Sequence, residues 1–105
     1  MIKRRRNVLP GAVVVVRVPT GHKLVVGLVL RRRGYFVDIM YASTVPSGSP
    51  GQEQLVSVNQ QVYWVRTDIV HVVPVAWLTT HLDDVLVSLH VVLQRFVHQH
   101  GFIMQ

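Results

Sequence analysis

Ala12-Val13-Val14-Val15-Val16-Arg17-Val18 is an apolar run broken by one cation, and its reading decides the fold. Its valines are β-branched, with side chains whose restricted rotation suits a pleated strand better than a helix. A half-buried strand would place a polar residue at every second position. None occurs before Arg17, so the run reads as a strand covered on both faces. Pro10-Gly11 on one side and Pro19-Thr20-Gly21-His22 on the other supply the chemistry of turns.

Outward from this run the same grammar continues. Lys23 to Arg31 reads as a second strand, closing at a hairpin turn in Arg31-Arg32-Arg33-Gly34, and Tyr35 to Tyr41 reads as a third. Ser43 to Gly51 is dense in serine, proline and glycine and is expected to form a surface loop. Gln54 to Val58 reads as a short strand, and Val62 to Val75 as one long strand or two joined by a bend. Pro74, which has no N–H for a ladder, belongs at an edge or a strand end. The period then changes. Leu82, Val85, Leu86, Leu89, Val92, Leu93 and Phe96 recur every three or four residues, the spacing of one helix face. Thr80 is the expected N-cap, Asp83 and Asp84 suit the positive end of the helix dipole, and Gly101 is a stop. Strands followed by one helix predict a mainly β domain: a small SH3-like barrel of five to six antiparallel strands with a C-terminal α-helix over about residues 80–100. Residues 1–9 read as a basic tail and 10–105 as one domain.

Composition narrows the function. The chain of 105 residues contains no cysteine, which excludes disulfide scaffolds, thiolate metal sites and cysteine nucleophiles. Eleven lysines and arginines against five acids give a net charge of +6, a sign of attraction to polyanions and to nucleic acid first. No apolar run approaches the roughly 20 residues that cross a bilayer, and the apolar stretch after the basic start is interrupted too early for a signal peptide. The expected setting is cytoplasmic, with no membrane contact. His98-Gln99-His100 has no accompanying carboxylate or cysteine and is not read as a metal site, so neither metal nor cofactor is expected.

Arg66 and Asp68 lie two residues apart in a strand and project from one face, near enough to act on one phosphate. On residue chemistry alone, they read first as a solvated ion pair. His22 is by itself a loop histidine. Lys23 and the cation run Arg31-Arg32-Arg33 offer phosphate contacts, as does the tail Lys3 to Arg6, whose charge also serves solubility. Ser43 and Thr44 either bond a phosphate or merely begin the loop. Tyr35, Phe36, Tyr41, Tyr63 and Trp64 are possible stacking platforms for unpaired bases, but most are expected in the core, since a chain with few aromatics needs its large side chains inside.

Three segments in order resemble the Kid/PemK branch of the MazF toxin superfamily. They are Pro10-Gly11-Ala12-Val13-Val14-Val15 with Pro19-Thr20-Gly21-His22; then Gly27-Leu28-Val29-Leu30; and Val65-Arg66-Thr67-Asp68, followed by Val70 to Leu78 and an amphipathic helix. Two departures stand out. Val25-Val26 occupies the place of the family's Arg-Pro pair, and Ala12 that of an acidic residue. The resemblance implies a toxin-like endoribonuclease that cuts single-stranded RNA by 2′-hydroxyl attack without a metal. It implies Asp68 as base, Arg66 as phosphate stabiliser and His22 as the group that orients or protonates the phosphate. Lys23, Arg31, Arg32, Arg33, Ser43 and Thr44 are then the candidate RNA contacts. It also implies a homodimer neutralised by an acidic, partly disordered antitoxin. The missing Arg-Pro motivates a rival, a member of the same fold that binds nucleic acid or protein without cutting. A second rival is a gyrase-poisoning relative acting through its C-terminal helix.

Overall fold

The valine run forms strand β1 (Val13–Val18), and both of its faces are covered. Val14 and Val16 enter one core with Val29, Val37, Ile39 and Leu78, while Val13 enters a second with Leu28, Met40 and Val65. Arg17, where the apolar run breaks, is exposed. Residues 8–46, 50–82, 86–90 and 92–94 are described by a computed structural model.

Seven antiparallel strands make one sheet among the described residues. After β1 come β2 (Lys23–Arg33), β3 (Phe36–Ser43), β4 (Glu53–Val58), β5 (Gln61–Arg66), β6 (His71–Pro74) and β7 (Leu78–His81). The paired order is β4-β5-β3-β2-β1-β7, and β6 also pairs with β3. One edge of β3 is thus shared: Ala42 and Ser43 meet β5, and Phe36 to Ile39 meet β6.

The sheet must curl. In a flat sheet, β6 and β7 would be four strand spacings apart, about 19 Å. Only the 3-10 turn Val75–Trp77 separates them in sequence, and three residues of that geometry rise about 6 Å. The short link therefore draws the outer flanks of β3 and β1 together and wraps the first core inside. The ladder stays open, because β6 and β7 are joined by the turn and not by pairing.

Two bulges adjust the register. Between Val29 and Arg31, one extra residue on β2 places Arg31 opposite Asp38. Between Val15 and Val16, Thr79 is the extra residue on β7, and its Oγ1 donates to Val15 O at 3.1 Å.

The C-terminal expectation needs correction. Thr80 is not a helix N-cap; it lies in β7, paired with Val15. That strand covers the flank of β1, which would otherwise be an unpaired edge, and this tertiary demand overrides the local capping signal. Residues 86–89 are not helical, and helical backbone is described at His90 and residues 92–94, with Leu93 N donating to Leu89 O at 2.8 Å. Leu82, Val87, Leu89, Val92 and Leu93 nonetheless pack on the second core, whereas Leu86 is exposed. Asp83, Asp84, Val85, Phe96 and Gly101 lie outside the described residues, as does the basic tail to Arg6. Seven strands replace the expected five to six, and the former helix start accounts for the added β7. Pro74 ends β6, as its missing N–H requires.

Candidate functional site

Side chains alternate across a strand, so the register fixes what meets on each face. Gln54, Val56 and Val58 of β4, with Tyr63 and Val65 of β5, turn toward the second core. Glu53 and Leu55 therefore share the opposite face with Trp64 and Arg66, and Glu53 stands directly across from Arg66. On β3, Ala42 belongs to the core side, leaving Tyr41 and Ser43 on the face of Trp64 and Arg66. Tyr41, Ser43, Glu53, Trp64 and Arg66, with Ala42 and with Val45 and Pro46 from the loop after β3, line a cavity of about 400 Å³.

Arg66 is held at this cavity by a two-point grip. Its Nε donates to Asp68 Oδ1 at 3.0 Å and its Nη2 to Asp68 Oδ2 at 2.6 Å. Such parallel bonds fix the plane of the guanidinium as well as its place. The grip rests on a solid base. Between the two residues Thr67 is fully buried, with its N–H and Oγ1 both donating to Gln52 O, at 2.9 and 3.2 Å. The hydrogen bond from Arg66 to Asp68 raises the arginine's pKa above its ordinary value, against burial, and the charges of Asp68 and Glu53 add to it. Arg66 is thus a permanent cation, suited to stabilising phosphate charge and unsuited to giving up a proton.

Glu53 is the residue that sequence reasoning missed. It is 4 % exposed, buried in the wall of the cavity. A signal was present: the chain has only five acids, and one at the head of an apolar strand calls for a cation partner. The same signal marks Asp38, equally buried, which accepts from Arg31 Nε at 2.8 Å and Arg33 Nη2 at 2.6 Å. Burial pushes the Asp38 carboxyl up, but the hydrogen bonds and the charges of Arg31 and Arg33 together outweigh it and hold the pKa below its ordinary value.

The remaining predicted residues divide between two ends of the sheet. Ser43 lines the cavity, and its Oγ also accepts from Val45 N at 3.1 Å, so it opens the loop as well. Thr44 follows it, exposed. His22 and Lys23 are exposed at the β1–β2 turn, at the same sheet end as Ser43. Lys23 projects from the face that carries Ser43 and Arg66. His22 does not line the cavity; it lies four residues beyond the Val26–Ala42–Val65 row, about 13 Å along the strand. Arg31, Arg32 and Arg33 lie toward the other end of β2, about 13–20 Å from that row measured along β3. Tyr41 connects the cavity to β6, where its ring stacks on His71 with centroids 4.2 Å apart. No group of three metal-binding side chains occurs among the described residues.

The curled antiparallel sheet is the fold of the MazF-like toxins. Solved structures that share it include the Mycobacterium tuberculosis toxin MazF-mt6, 18% identical, with 86% of this chain and 92% of that chain covered and a TM-score of 0.59. A mycobacterial endoribonuclease in complex with its cognate antitoxin superposes with a TM-score of 0.64 at 14% identity, covering 92% of this chain and 98% of that one. No protein-family model matches the chain, and neither does any curated protein. No helix among the described residues is long and apolar enough to cross a membrane.

Proposed function

We propose that this chain is a MazF-like toxin that cleaves single-stranded RNA without a metal. The observation that carries the reading is Arg66, fixed at an open cavity between the carboxylates of Asp68 and Glu53. Cleavage proceeds by attack of a 2′-hydroxyl on the adjacent phosphorus, with a carboxylate taking the hydroxyl proton and the P–O5′ bond breaking as the 5′-oxygen takes a proton from solvent water at the open cavity. The products are a cyclic 2′,3′-phosphate and a 5′-hydroxyl. Arg66 stabilises the charge that grows on the phosphoryl oxygens. Asp68 is the base in this scheme, its carboxylate held beside the guanidinium that stabilises the phosphate. Ser43 donates to the phosphate, and Trp64 and Tyr41 offer surfaces for a base. His22 and Lys23 engage phosphates further along the strand.

The fold relative solved with its antitoxin supports a similar partner here. An acidic, partly disordered antitoxin complements the net positive chain and competes with RNA for Arg66 and Lys23, on a homodimer in which RNA crosses the subunit junction.

The test is incubation of purified protein with a long unstructured RNA in chelator. Fragments with cyclic phosphate ends that vanish in Arg66→Ala and Asp68→Ala are the expected result. RNA that is bound but left whole replaces this reading with the non-cleaving one, which the valines in the Arg-Pro place favour. Trapping of gyrase on DNA, with no effect on RNA, replaces it with the gyrase-poison reading.

A further inference from the structure

The β2–β3 hairpin carries aromatic surface that the cavity at Arg66 does not use. Tyr35 is 84 % exposed and Phe36 49 %, side by side at the hairpin tip. Large rings in a small domain belong in the core unless something outside covers them. Here they border a second cleft of about 310 Å³, lined by Arg32, Tyr35, Phe36, Pro74, Val75 and Ala76.

Main-chain bonds build this cleft. Val75 N donates to Tyr35 O at 2.8 Å, tying the hairpin tip to the 3-10 turn, and Phe36 pairs with Pro74 across β3 and β6. Arg32 Nε donates to Gly34 O at 2.8 Å, which holds the guanidinium beside the rings. Arg31 and Arg33 are engaged by Asp38, and among the described residues the hairpin strands carry three arginines against one carboxylate.

We propose that the hairpin cleft is a second RNA-binding site, which takes one unpaired nucleotide with its base on Tyr35 and Phe36 and its phosphate at Arg32. The charge complements RNA, and the pairing of exposed rings with a fixed guanidinium is what an unstacked base and its phosphate require. An acidic peptide uses the arginine and leaves the rings unexplained. The cleft lies about 20 Å along β2 from the row beside Arg66, so an RNA strand of several nucleotides reaches both. The choice of RNA among polyanions rests on the ribonuclease reading, but capture at the hairpin does not require cleavage.

Fluorescence anisotropy of the full chain with a labelled 2′-O-methyl oligouridylate of about 12 nucleotides reads binding alone, since the methyl group blocks 2′ attack. Tyr35→Ala is expected to weaken binding about tenfold and Tyr35→Phe to retain it. Arg32→Ala is expected to flatten the plot of log affinity against log salt by about 0.7. Circular dichroism and melting curves establish that each variant is folded. Unchanged affinity and salt slope in folded Tyr35→Ala and Arg32→Ala overturn the proposal, whether or not the wild type cuts RNA. A polyglutamate peptide whose binding depends on both residues, with the oligonucleotide indifferent to them, also overturns it. Binding that depends on the hairpin in a protein that cuts no RNA supports this site and removes the ribonuclease reading alone.

Discussion

Glu53 and Arg66 stand opposite each other on β4 and β5, so the guanidinium that Asp68 grips with two hydrogen bonds also feels a second, buried carboxylate. This places one cation between two acids at the wall of the cavity. The two acids differ in access: Glu53 is buried, while the Asp68 side chain keeps partial exposure.

Separate replacement of the acids identifies the base. Asp68→Asn is expected to lower kcat about 10²- to 10⁴-fold and to remove the acid limb of the pH–rate profile. Glu53→Gln is expected to keep that limb, because Glu53 acts on the position and charge of Arg66. Steady-state cleavage of a fluorogenic RNA between pH 4 and 9 distinguishes them. An acid limb lost in Glu53→Gln and kept in Asp68→Asn would exchange the two roles.

Arg66→Lys preserves charge but not the fork that binds both Asp68 oxygens. We expect kcat to fall at least about tenfold and Arg66→Ala to lose about 10²- to 10³-fold, with RNA affinity changing much less. Single-turnover rates beside binding isotherms check this. Equal losses in affinity and rate would show that Arg66 merely binds.

Asp38→Ala removes the acceptor shared by Arg31 and Arg33 and is expected to destabilise the fold by about 2–3 kcal/mol in urea denaturation. The pH dependence has a definite sign. Because the folded Asp38 pKa is lowered, its contribution is present above the unfolded value near 3.9 and is lost as pH falls through the folded value. Wild-type stability should therefore drop more steeply than the variant's on acidification below about pH 4. Parallel curves would contradict the assignment.

Gly11 has φ +92, and a Cβ there would lie 2.4 Å from Val87 O. Its own N–H donates to Val29 O and its carbonyl accepts from Val87 N, both at 2.8 Å, so the backbone has little room to shift. Gly11→Ala is expected to cost about 2–4 kcal/mol from left-handed strain and overpacking together. Thermal melting checks this, and an unchanged midpoint would mean that the segment around Val87 moves aside without loss.

The mainly β character was legible from residues 12–18, because an unbroken valine run is compatible with a strand covered on both faces. So were the hairpin at Gly34 and the end of β6 at Pro74, both set by backbone chemistry. The period of two does not account for Arg66 and Asp68, because β5 ends at Arg66 and Asp68 lies in the bend beyond it. Thr80 misled because capping is a local preference, worth about 1 kcal/mol, whereas pairing the flank of β1 satisfies several backbone groups together. Glu53 escaped notice because its partner is thirteen positions away, and only the β4–β5 register brings them level.

By itself the sequence determined which segments extend as far as Pro74, where they turn, and that the chain carries net positive charge, since steric restriction at Cβ and charge are properties of the residues. The tertiary structure alone decided which acids meet which arginines, that His22 stands apart from the Arg66 cavity, and that Tyr35 and Phe36 flank a cleft. Those outcomes depend on strand register and on the curl enforced by Val75–Trp77, where a shift of one residue would send each side chain to the opposite face.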